Sequence, residues 1–458
     1  MKKYKIEDRN TRRNFLKTAA AATIPFVLPD NHKGTAENVV IPVKNKVPVI
    51  ILRSSWQEVN IGDIGHTPGT LRLLERYVPE AEILLWHSDP RPNTEKIVRK
   101  NFPRVKLIKG PWSNGDKPFD SELKNAFERA DLFIMNSGMH YNFGLFNYDW
   151  PKTMSALTPF YYCIDKKIPF GLYGQSFDKM AHPSLPVFKD VLSKAAFIYC
   201  RETESQKFLQ QNGFNPPVLD FGPDGCFGID VRDEEKGLAY LQKTGLQDQK
   251  FLAVIIRTNT PKLAIIEGVD LLNPAKPTAE QQKQDQERMA KVIEMITVWV
   301  RKTGLKVLVA PEMDKEMIPA KTMVMDKLPA DVKDKVVVRD TFWNADEAMS
   351  VYARAHCIFG MEPHSLIMGM ALGVPILHVR SVSHGRKGFM FRDIGLSEWL
   401  FEIDESNASE WLKPLLAIHD DYKLAKEKVR ESMNFVHSKQ AATMETVRIT
   451  TGLPKSKT

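Results

Sequence analysis

The segment CIFGMEPHSLIMGMALGVPILHV, residues 357–379, decides the class of fold that the sequence predicts. Its first apolar run, 357–359, predicts a short strand, 366–372 has the composition of a buried helix, and 375–379 predicts a second strand. A strand, a helix and a strand in such close succession are typical of a βαβ unit with parallel strands.

The same alternation continues outward from this segment in both directions. The second half of the chain predicts further strands at 251–256, 306–310 and 335–338, with helices at about 279–303 and 345–355. The first half predicts strands at 47–52, 81–86, 105–108, 132–135, 169–173 and 197–199, with helices at 70–77, 121–129 and 202–212. We therefore expect an α/β protein with two consecutive Rossmann-like units and a cleft between them. Ligands of such sheets bind at the carboxyl ends of the strands.

The charged segment 232–248 shows no strand pattern, and it marks the expected boundary between the two units. We expect an N-terminal Rossmann-like domain at 47–245, a C-terminal one at 250–405, and a helical tail at 406–458 that packs back across the first domain. The length of 458 residues agrees with more than one domain, because it exceeds what a single core usually serves.

The composition excludes a nucleic-acid partner. Hydrophobic residues make up 43% and charged residues 26% of the chain, which is ordinary for a soluble globular protein. The net charge of +8 is concentrated at the N-terminus, because residues 1–36 hold eight basic and three acidic side chains. The remaining 56 basic and 53 acidic residues leave about +3, without the clustered excess that nucleic-acid binding requires.

The first 36 residues predict an export signal. The paired arginines Arg12 and Arg13 precede Phe-Leu-Lys and a short apolar run at 18–28, an order that is typical of a twin-arginine signal peptide. The run is too short to span a bilayer. We therefore expect a periplasmic or cell-surface protein, which would touch the membrane only if the signal stays uncleaved. An amphipathic N-terminal helix is the alternative interpretation.

The cysteines predict neither a metal centre nor a disulfide framework. Cys163, Cys200, Cys226 and Cys357 lie far apart, and no CxxC pair occurs. Cys200 and Cys357 lie at the ends of apolar runs with strand character, and we interpret these two as buried thiols, in preference to a disulfide or a nucleophile. No metal and no tightly bound cofactor is expected.

Polar loops that follow the first-half strands are candidates for ligand binding. Asn60 and Asp63 lie in a glycine-containing loop after the first strand, where free backbone N–H groups attract an anion. Gln175 follows the fifth strand in the same way. A structural turn with a helix cap at Thr70 competes for the first loop, and a tight strand-to-helix turn competes for the second.

Cations follow three other strands. Arg201 can hold a carboxylate or phosphate in a bidentate fork, although pairing with Asp224 to tie loops together is the preferred alternative. Arg257 leaves the first strand of the second unit and suits an anionic ligand, with a surface ion pair as the alternative. Lys387 lies beyond a later strand, where it reaches the same cleft.

His364 and Glu362 form a candidate acid/base pair. Both lie in the turn GMEPHS, residues 360–365, which joins a strand to an apolar helix. A histidine that begins a helix at a strand end is well placed to move protons for a ligand in the crevice. Capping the helix or bonding a backbone carbonyl is the alternative role for His364.

These motifs, taken in order over residues 50–396, resemble the polysaccharide pyruvyl transferase family. The matching pieces are Asn60-Ile61-Gly62-Asp63, Arg201-Glu202-Thr203-Glu204-Ser205, Gly222-Pro223-Asp224-Gly225-Cys226-Phe227, Gly360-Met361-Glu362-Pro363-His364, Gly373-Val374-Pro375 and Lys387. The resemblance implies a glycosyltransferase B-like architecture. It also implies an enzyme that transfers a pyruvyl group from phosphoenolpyruvate, as co-substrate, to a sugar of a surface or extracellular glycan.

The resemblance also implies a role for each candidate residue. His364 would act as the general acid/base with Glu362 beside it. Arg257, Lys387 and Arg201 would bind the donor. The sugar acceptor would lie at the N-terminal crevice, which holds the three candidate side chains of Asn60, Asp63 and Gln175.

Two features depart from the family pattern. Glu362 stands where the family has an arginine, and a carboxylate there repels an anionic donor, so we expect weak binding of phosphoenolpyruvate. In addition, phosphoenolpyruvate is a cytoplasmic metabolite, whereas the chain carries an export signal. The alternatives are therefore an exported glycan-modifying enzyme that removes pyruvyl ketals, and a catalytically silent glycan-binding protein.

Overall fold

The structure is a computed structural model that describes residues 47–54, 56, 58–88, 90–112, 120–144, 150–259 and 277–456. The residues from Val47 onward form one compact unit. The predicted export signal lies outside the described residues. Among those residues, no helix combines the length and the apolar character that crossing a membrane requires.

The first sheet is parallel throughout. Its strands are β1 (Val49–Ser54), β2 (Glu82–His87), β3 (Lys106–Lys109), β4 (Leu132–Gly138), β5 (Phe170–Gln175), β6 (Phe197–Cys200) and β7 (Leu219–Phe221). They lie in the order β3-β2-β1-β4-β5-β6-β7. The order reverses between β1 and β4, and this switch point opens a crevice at the carboxyl ends of the two strands.

The second sheet repeats the same winding. Its strands are β8 (Phe251–Ile255), β9 (Lys306–Ala310), β10 (Val336–Val338), β11 (Cys357–Gly360), β12 (Ile376–Arg380) and β13 (Leu400–Glu402). They lie in the order β10-β9-β8-β11-β12-β13, all parallel. The switch point between β8 and β11 places the segments after these two strands side by side. The α/β class with two Rossmann-like sheets is confirmed.

The helices connect the strands and cover the sheets. They are α1 (Ile61–Tyr77), α2 (Pro92–Asn101), α3 (Ser121–Arg129), α4 (Trp150–Lys166), α5 (Ser184–Leu192), α6 (Thr203–Gln211), α7 (Glu234–Thr244), α8 (Ala279–Thr303), α9 (Met317–Pro319), α10 (Ala330–Lys333), α11 (Ala345–Tyr352), α12 (Pro363–Ala371), α13 (Met390–Asp393), α14 (Ala408–Asp420) and α15 (Tyr422–Thr450). Helices α3 and α8 have the predicted bounds. The strandless segment 232–248 contains α7, and the predicted domain bounds themselves stay predictions.

The prediction for the start of α1 was wrong. The sequence predicted a loop through Gly62 and Gly65 with a helix from residue 70, whereas α1 begins at Ile61. Asn60 caps it, since its Oδ1 accepts hydrogen bonds from the backbone N–H groups of Gly62 at 2.9 Å and Asp63 at 3.4 Å. Glycine lowers helix propensity by about 0.5–1 kcal/mol relative to alanine, which made the segment look like a loop. In the fold these glycines allow close packing, and a Cβ at Gly69 would lie 2.1 Å from the Gly225 carbonyl oxygen.

The C-terminal helix α15 packs back on the first sheet, as the sequence predicted. The hydroxyl groups of Tyr173 in β5 and Thr443 in α15 are 3.0 Å apart, and Tyr199 in β6 donates a hydrogen bond to Thr446 at 2.7 Å. Arg448 donates two hydrogen bonds of 2.7 Å to the carboxylate of Glu80. The last helix therefore ties the end of the chain to its first domain.

One apolar core runs from the α1 side of the first sheet through the second sheet, and a second core fills the other face of the first sheet. Helix α1 contacts both the short turn Gly225–Gly228 and helix α12 of the second unit. It therefore carries its polar side chains into the region where the two sheets meet. The four cysteines are free and buried, as predicted for Cys200 and Cys357.

Candidate active site

A buried histidine on α1 is held by an aspartate that follows β7. His66 is 1% exposed, and its Nδ1 lies 2.9 Å from Oδ1 of Asp224, which is fully buried. The same aspartate accepts a hydrogen bond from the backbone N–H of Cys226 at 2.8 Å. Arg201, which follows β6, donates to Asp224 Oδ2 at 2.8 Å and to Ser176 Oγ at 2.6 Å. Asp224 is thus fixed by three donors from three segments of the chain.

A second buried histidine is held by a glutamate of the other sheet. His364 opens α12, and its Nδ1 lies 3.2 Å from Oε1 of Glu312, which follows β9. The other oxygen of Glu312 accepts hydrogen bonds of 2.7 Å from both the backbone N–H and the hydroxyl of Ser365. The carboxylate therefore fixes both the helix start and the orientation of the imidazole ring.

The two histidine rings meet edge to face. Their centroids are 4.5 Å apart with an interplanar angle of 82°, and Nη1 of Arg201 lies 3.5 Å from Nε2 of His364. Gly62 permits this approach, because a Cβ there would lie 2.5 Å from His364 Nδ1 and 2.8 Å from Glu312 Oε1. We call His66 and His364, with their carboxylates Asp224 and Glu312, the histidine pair.

The carboxylates determine which ring nitrogen carries hydrogen. Burial raises the pKa of Asp224, but His66 and Arg201 outweigh it and hold that pKa well below its usual range. Burial likewise opposes the shift of Glu312, whose pKa the hydrogen bonds from His364 and Ser365 lower to about 2. Both carboxylates are therefore ionised and can only accept hydrogen bonds, so both Nδ1 atoms donate. Nε2 is then the atom of each ring that gains or loses a proton.

The predicted donor-binding cations are already paired with a protein carboxylate. Glu362 is 2% exposed and forms ion pairs with Arg257, which follows β8, and with Lys387 at 3.1 Å. Burial and the neighbouring Arg257 guanidinium lower the pKa of Lys387 to about 7. We call Arg257, Glu362 and Lys387 the Glu362 cluster. The structure brings these three residues beside His364, but Glu362 contacts the cations instead of the histidine's Nδ1.

The acceptor-side candidates differ in their surroundings. Asn60 caps α1, as described above, and Asp63 is half-buried, with its charge acting on Arg257, Lys387 and His140. Gln175 is buried, and its Nε2 donates to the Ser137 carbonyl oxygen at 2.5 Å. Its Oε1 has no hydrogen-bond partner among the described residues.

The charges in this region nearly cancel. The histidine pair and the Glu362 cluster, taken together with Arg201 and Asp63, contain the cations Arg201, Arg257 and Lys387 and the carboxylates Asp63, Asp224, Glu312 and Glu362. One more formal negative than positive charge results. Phosphoenolpyruvate carries about three negative charges at neutral pH, so it meets no surplus of positive charge here.

Three side chains of the histidine pair have atoms close enough to bind a cation. One ligand atom each from His66, Asp224 and His364 lies within 4.8 Å of the others. Both oxygens of Asp224 are already occupied, however, by His66, the Cys226 N–H and Arg201. A cation would have to displace a guanidinium, so the donor set fits a hydrogen-bonded proton site better than a metal.

Sequence reasoning identified His364, Glu362, Arg201, Arg257 and Lys387 as neighbours but missed half of the histidine pair. His66 was assigned no role, and Asp224 was named only as a partner for Arg201 and within the family motif at 222–227. Glu312 was not identified, although it follows predicted strand 306–310 as the other candidates follow theirs. A systematic look at the first polar residues after every predicted strand would have found it.

The polysaccharide pyruvyl transferase family profile matches residues 60–383 of this chain. The chain belongs to the polysaccharide pyruvyl transferase family. No curated protein sequence matches it. This family is a family of transferases, and its profile spans β2 to β12 and every residue of the histidine pair and the Glu362 cluster except Lys387.

Solved structures show the same fold at low identity. HepE of Anabaena, in complex with UDP and glucose, is 10% identical with a TM-score of 0.52, over 87% of this chain and 97% of that chain. MnaA of S. aureus, in a UDP co-structure, is 11% identical with a TM-score of 0.54, over 90% of this chain and 99% of that chain. The family member described here therefore has the glycosyltransferase B-like fold of two Rossmann-like domains.

Proposed function

We propose that this family member transfers a pyruvyl group from phosphoenolpyruvate to hydroxyl groups of a glycan sugar. The observation that carries the proposal is the orientation of His364 by Glu312 at a family-motif position beside two cations. Making a ketal from an enol phosphate requires a positioned acid for the methylene carbon, and His364 Nε2 supplies it. The membership of the polysaccharide pyruvyl transferase family supports pyruvyl transfer to a polysaccharide.

The remaining candidate residues other than Asn60, which caps α1, have roles in this proposal. Arg257 and Lys387 bind the phosphate and carboxylate of the donor once Glu362 is displaced from them. Asp63 and Gln175 face the sugar from the first sheet, where the unpaired Oε1 of Gln175 accepts a hydrogen bond from a hydroxyl group. Arg201 holds Asp224, and through it His66.

A second candidate function is the removal of pyruvyl ketals from an exported glycan. The observation that favours it is the Glu362 cluster, in which a protein carboxylate already neutralises the two cations. Hydrolysis needs no phosphorylated donor and is therefore compatible with such a site. It also agrees with the export that the twin-arginine motif predicts, since phosphoenolpyruvate is not an exported metabolite.

One incubation series distinguishes these functions. The purified protein is mixed with candidate glycans, with and without phosphoenolpyruvate, and phosphate release, free pyruvate and glycan mass are measured. Ketal formation that requires phosphoenolpyruvate and releases phosphate supports transfer, whereas pyruvate release from pyruvylated glycan without donor supports removal. Binding of glycan without either reaction contradicts both and leaves a glycan-binding protein.

The test variant and its matched control each change a buried histidine. His364→Gln should abolish whichever reaction is found. His356→Gln changes a histidine that packs against Trp299, His419 and Tyr422, away from the site, and should leave the reaction intact.

We also propose that the chain is exported by the twin-arginine route. Replacing both Arg12 and Arg13 by lysine should retain the protein in the cytoplasm, as measured by fractionation of cells that express the full chain. Unchanged delivery to the periplasm would contradict the proposal.

A further inference from the structure

We propose that His66 is a second catalytic residue, and that it works with His364 as a proton-transfer pair in which Asp224 and Glu312 are the positioning residues. The inference rests on the proposed function and extends it. The family resemblance singled out His364 alone, whereas the fold places the two rings 4.5 Å apart and gives each its own buried carboxylate.

The two carboxylates fix the orientation of the histidine rings. Each Nδ1 faces an ionised carboxylate whose remaining hydrogen-bonding capacity is filled by backbone N–H, hydroxyl or guanidinium donors. Neither carboxylate can therefore turn away without leaving donors unsatisfied. The rings are locked with Nε2 as the exchangeable position, which is the arrangement that a second group imposes on a general acid or base.

The surroundings distinguish the two rings. Burial lowers the pKa of His66, and Asp224 only partly opposes that shift, so His66 is neutral at pH 7 and ready to accept a proton. His364 has carboxylate oxygens near both nitrogens, with Glu312 Oε1 at 3.2 Å from Nδ1 and Asp224 Oδ2 at 3.9 Å from Nε2. The Asp224 oxygen lies beyond hydrogen-bond distance of Nε2, so it acts on that nitrogen only through its negative charge.

The reaction needs two such groups. In the first step, His66 takes the proton of one sugar hydroxyl, whose oxygen bonds to C2 of phosphoenolpyruvate, while His364 gives its proton to C3 and the double bond is consumed. In the second step, the bond from C2 to the phosphate oxygen breaks and His66 returns its proton to the phosphate. The second hydroxyl then bonds to C2, and its proton restores His364. Both hydroxyl protons are thereby accounted for, one on the methyl group and one on the phosphate.

The competing interpretation of the same atoms is a metal site formed by His66, Asp224 and His364. Arg201 argues against it, because its guanidinium lies 2.8 Å from Asp224 Oδ2 and 3.5 Å from His364 Nε2. A divalent cation in that position would have to displace a buried positive group. Metal binding is therefore an outcome of the test that would overturn the proposal.

The first measurement needs no substrate. Long-range proton–nitrogen correlation spectra of the full chain, labelled with ¹⁵N-histidine, report which ring nitrogen carries hydrogen. His66→Gln and His364→Gln assign the two signals. We expect hydrogen on Nδ1 of both rings. In Asp224→Asn, His66 should no longer be held in the form with hydrogen on Nδ1, and in Glu312→Gln the same should be true of His364. Hydrogen on Nε2 of neutral His66, with Nδ1 free, overturns the proposal whether or not the protein transfers pyruvyl groups.

The second measurement uses whichever turnover the incubation series finds. His66→Gln should lower kcat by about 10²- to 10⁴-fold with little change in KM, which is the usual contribution of one general acid or base. It should also remove one limb of the pH–rate profile, an effect that a loss of packing does not produce. His356→Gln is the control, and circular dichroism verifies the fold of each variant.

The outcomes separate the two proposals. If the native protein shows no turnover, the proposed function fails. The spectra still show whether both rings carry hydrogen on Nδ1, and so whether the oriented pair exists. If turnover is present and His66→Gln loses no more than His356→Gln, the proton-transfer pair fails while the proposed function stands. Tight binding of Zn²⁺ or Co²⁺ by the native protein, lost in both histidine variants, would replace the pair with a metal centre.

Discussion

The histidine pair and the Glu362 cluster lie side by side, yet they use buried charge in opposite ways. In the histidine pair, each carboxylate orients a ring and leaves one nitrogen for chemistry. In the Glu362 cluster, the carboxylate occupies the cations that a donor anion would need. The comparison teaches that a buried carboxylate orients a neighbouring ring in one place and neutralises neighbouring cations in the other.

The largest expected effect comes from breaking the histidine pair at Asp224. Asp224→Ala leaves Arg201, which is 1% exposed, buried without its counter-ion. Removing one partner of a buried pair costs about 3–5 kcal/mol, and we expect that loss in the free energy of unfolding measured with urea.

The control for this prediction is Asp230→Ala. Asp230 pairs with Arg72 at 2.8 Å, but its side chain is 51% exposed, and an exposed pair contributes about 0–1 kcal/mol. Equal losses in the two variants would show that Asp224 contributes no more than a surface residue.

The second prediction opens the Glu362 cluster. Glu362→Gln keeps the side-chain shape but frees Arg257 and Lys387, so calorimetry should show that phosphoenolpyruvate binds more tightly by about a hundredfold, or about 2.7 kcal/mol. Glutamine is preferred to the family's arginine, because an arginine would place a third cation beside Arg257 and Lys387.

Glu347→Gln provides the matched control, because it removes a carboxylate on α11 that pairs with Arg339 after β10. Tight binding by the native protein, unchanged in Glu362→Gln, would show that the cluster does not compete with the donor.

The third prediction tests how closely the two units must meet. Gly62→Ala would gain helix propensity, but its Cβ would lie 2.5 Å from His364 Nδ1 and 2.8 Å from Glu312 Oε1. We expect a net loss of about 1–3 kcal/mol in unfolding free energy together with a changed His364 signal in the histidine spectra. A stabilised protein with an unchanged signal would mean that the ring has room to move.

The smallest expected effect concerns Asn60, which the sequence assigned to the acceptor and the structure places as the cap of α1. Asn60→Ala should cost about 1 kcal/mol of stability, whereas Asn60→Ser should cost less because serine also caps helices. If Asn60→Ser keeps its stability but raises KM for the glycan, the residue also binds the acceptor. An unchanged KM would limit it to capping.

The sequence by itself determined the class of fold, the two windings of strands and helices, and the grouping of His364 with Arg257 and Lys387. Strands and helices can be predicted because apolar periodicity is a local property of the sequence. Residues that follow parallel strands can be grouped because these segments converge at the switch point of the sheet, whatever the orientation of their side chains. It also located the position where this chain departs from its family, because Glu362 is visible as a residue type.

Only the tertiary structure decided what these residues touch. His66 and Asp224 are 158 residues apart in the chain. Glu312 and His364, which follow β9 and β11, are 52 residues apart. The start of α1 depended on packing too, because its glycines lower helix propensity and are favoured only where His364 and Gly225 press against the helix. Spacing along the chain carries no information about which carboxylate meets which ring, since each pair forms when its own unit folds, whereas the contact between His66 and His364 joins the two units.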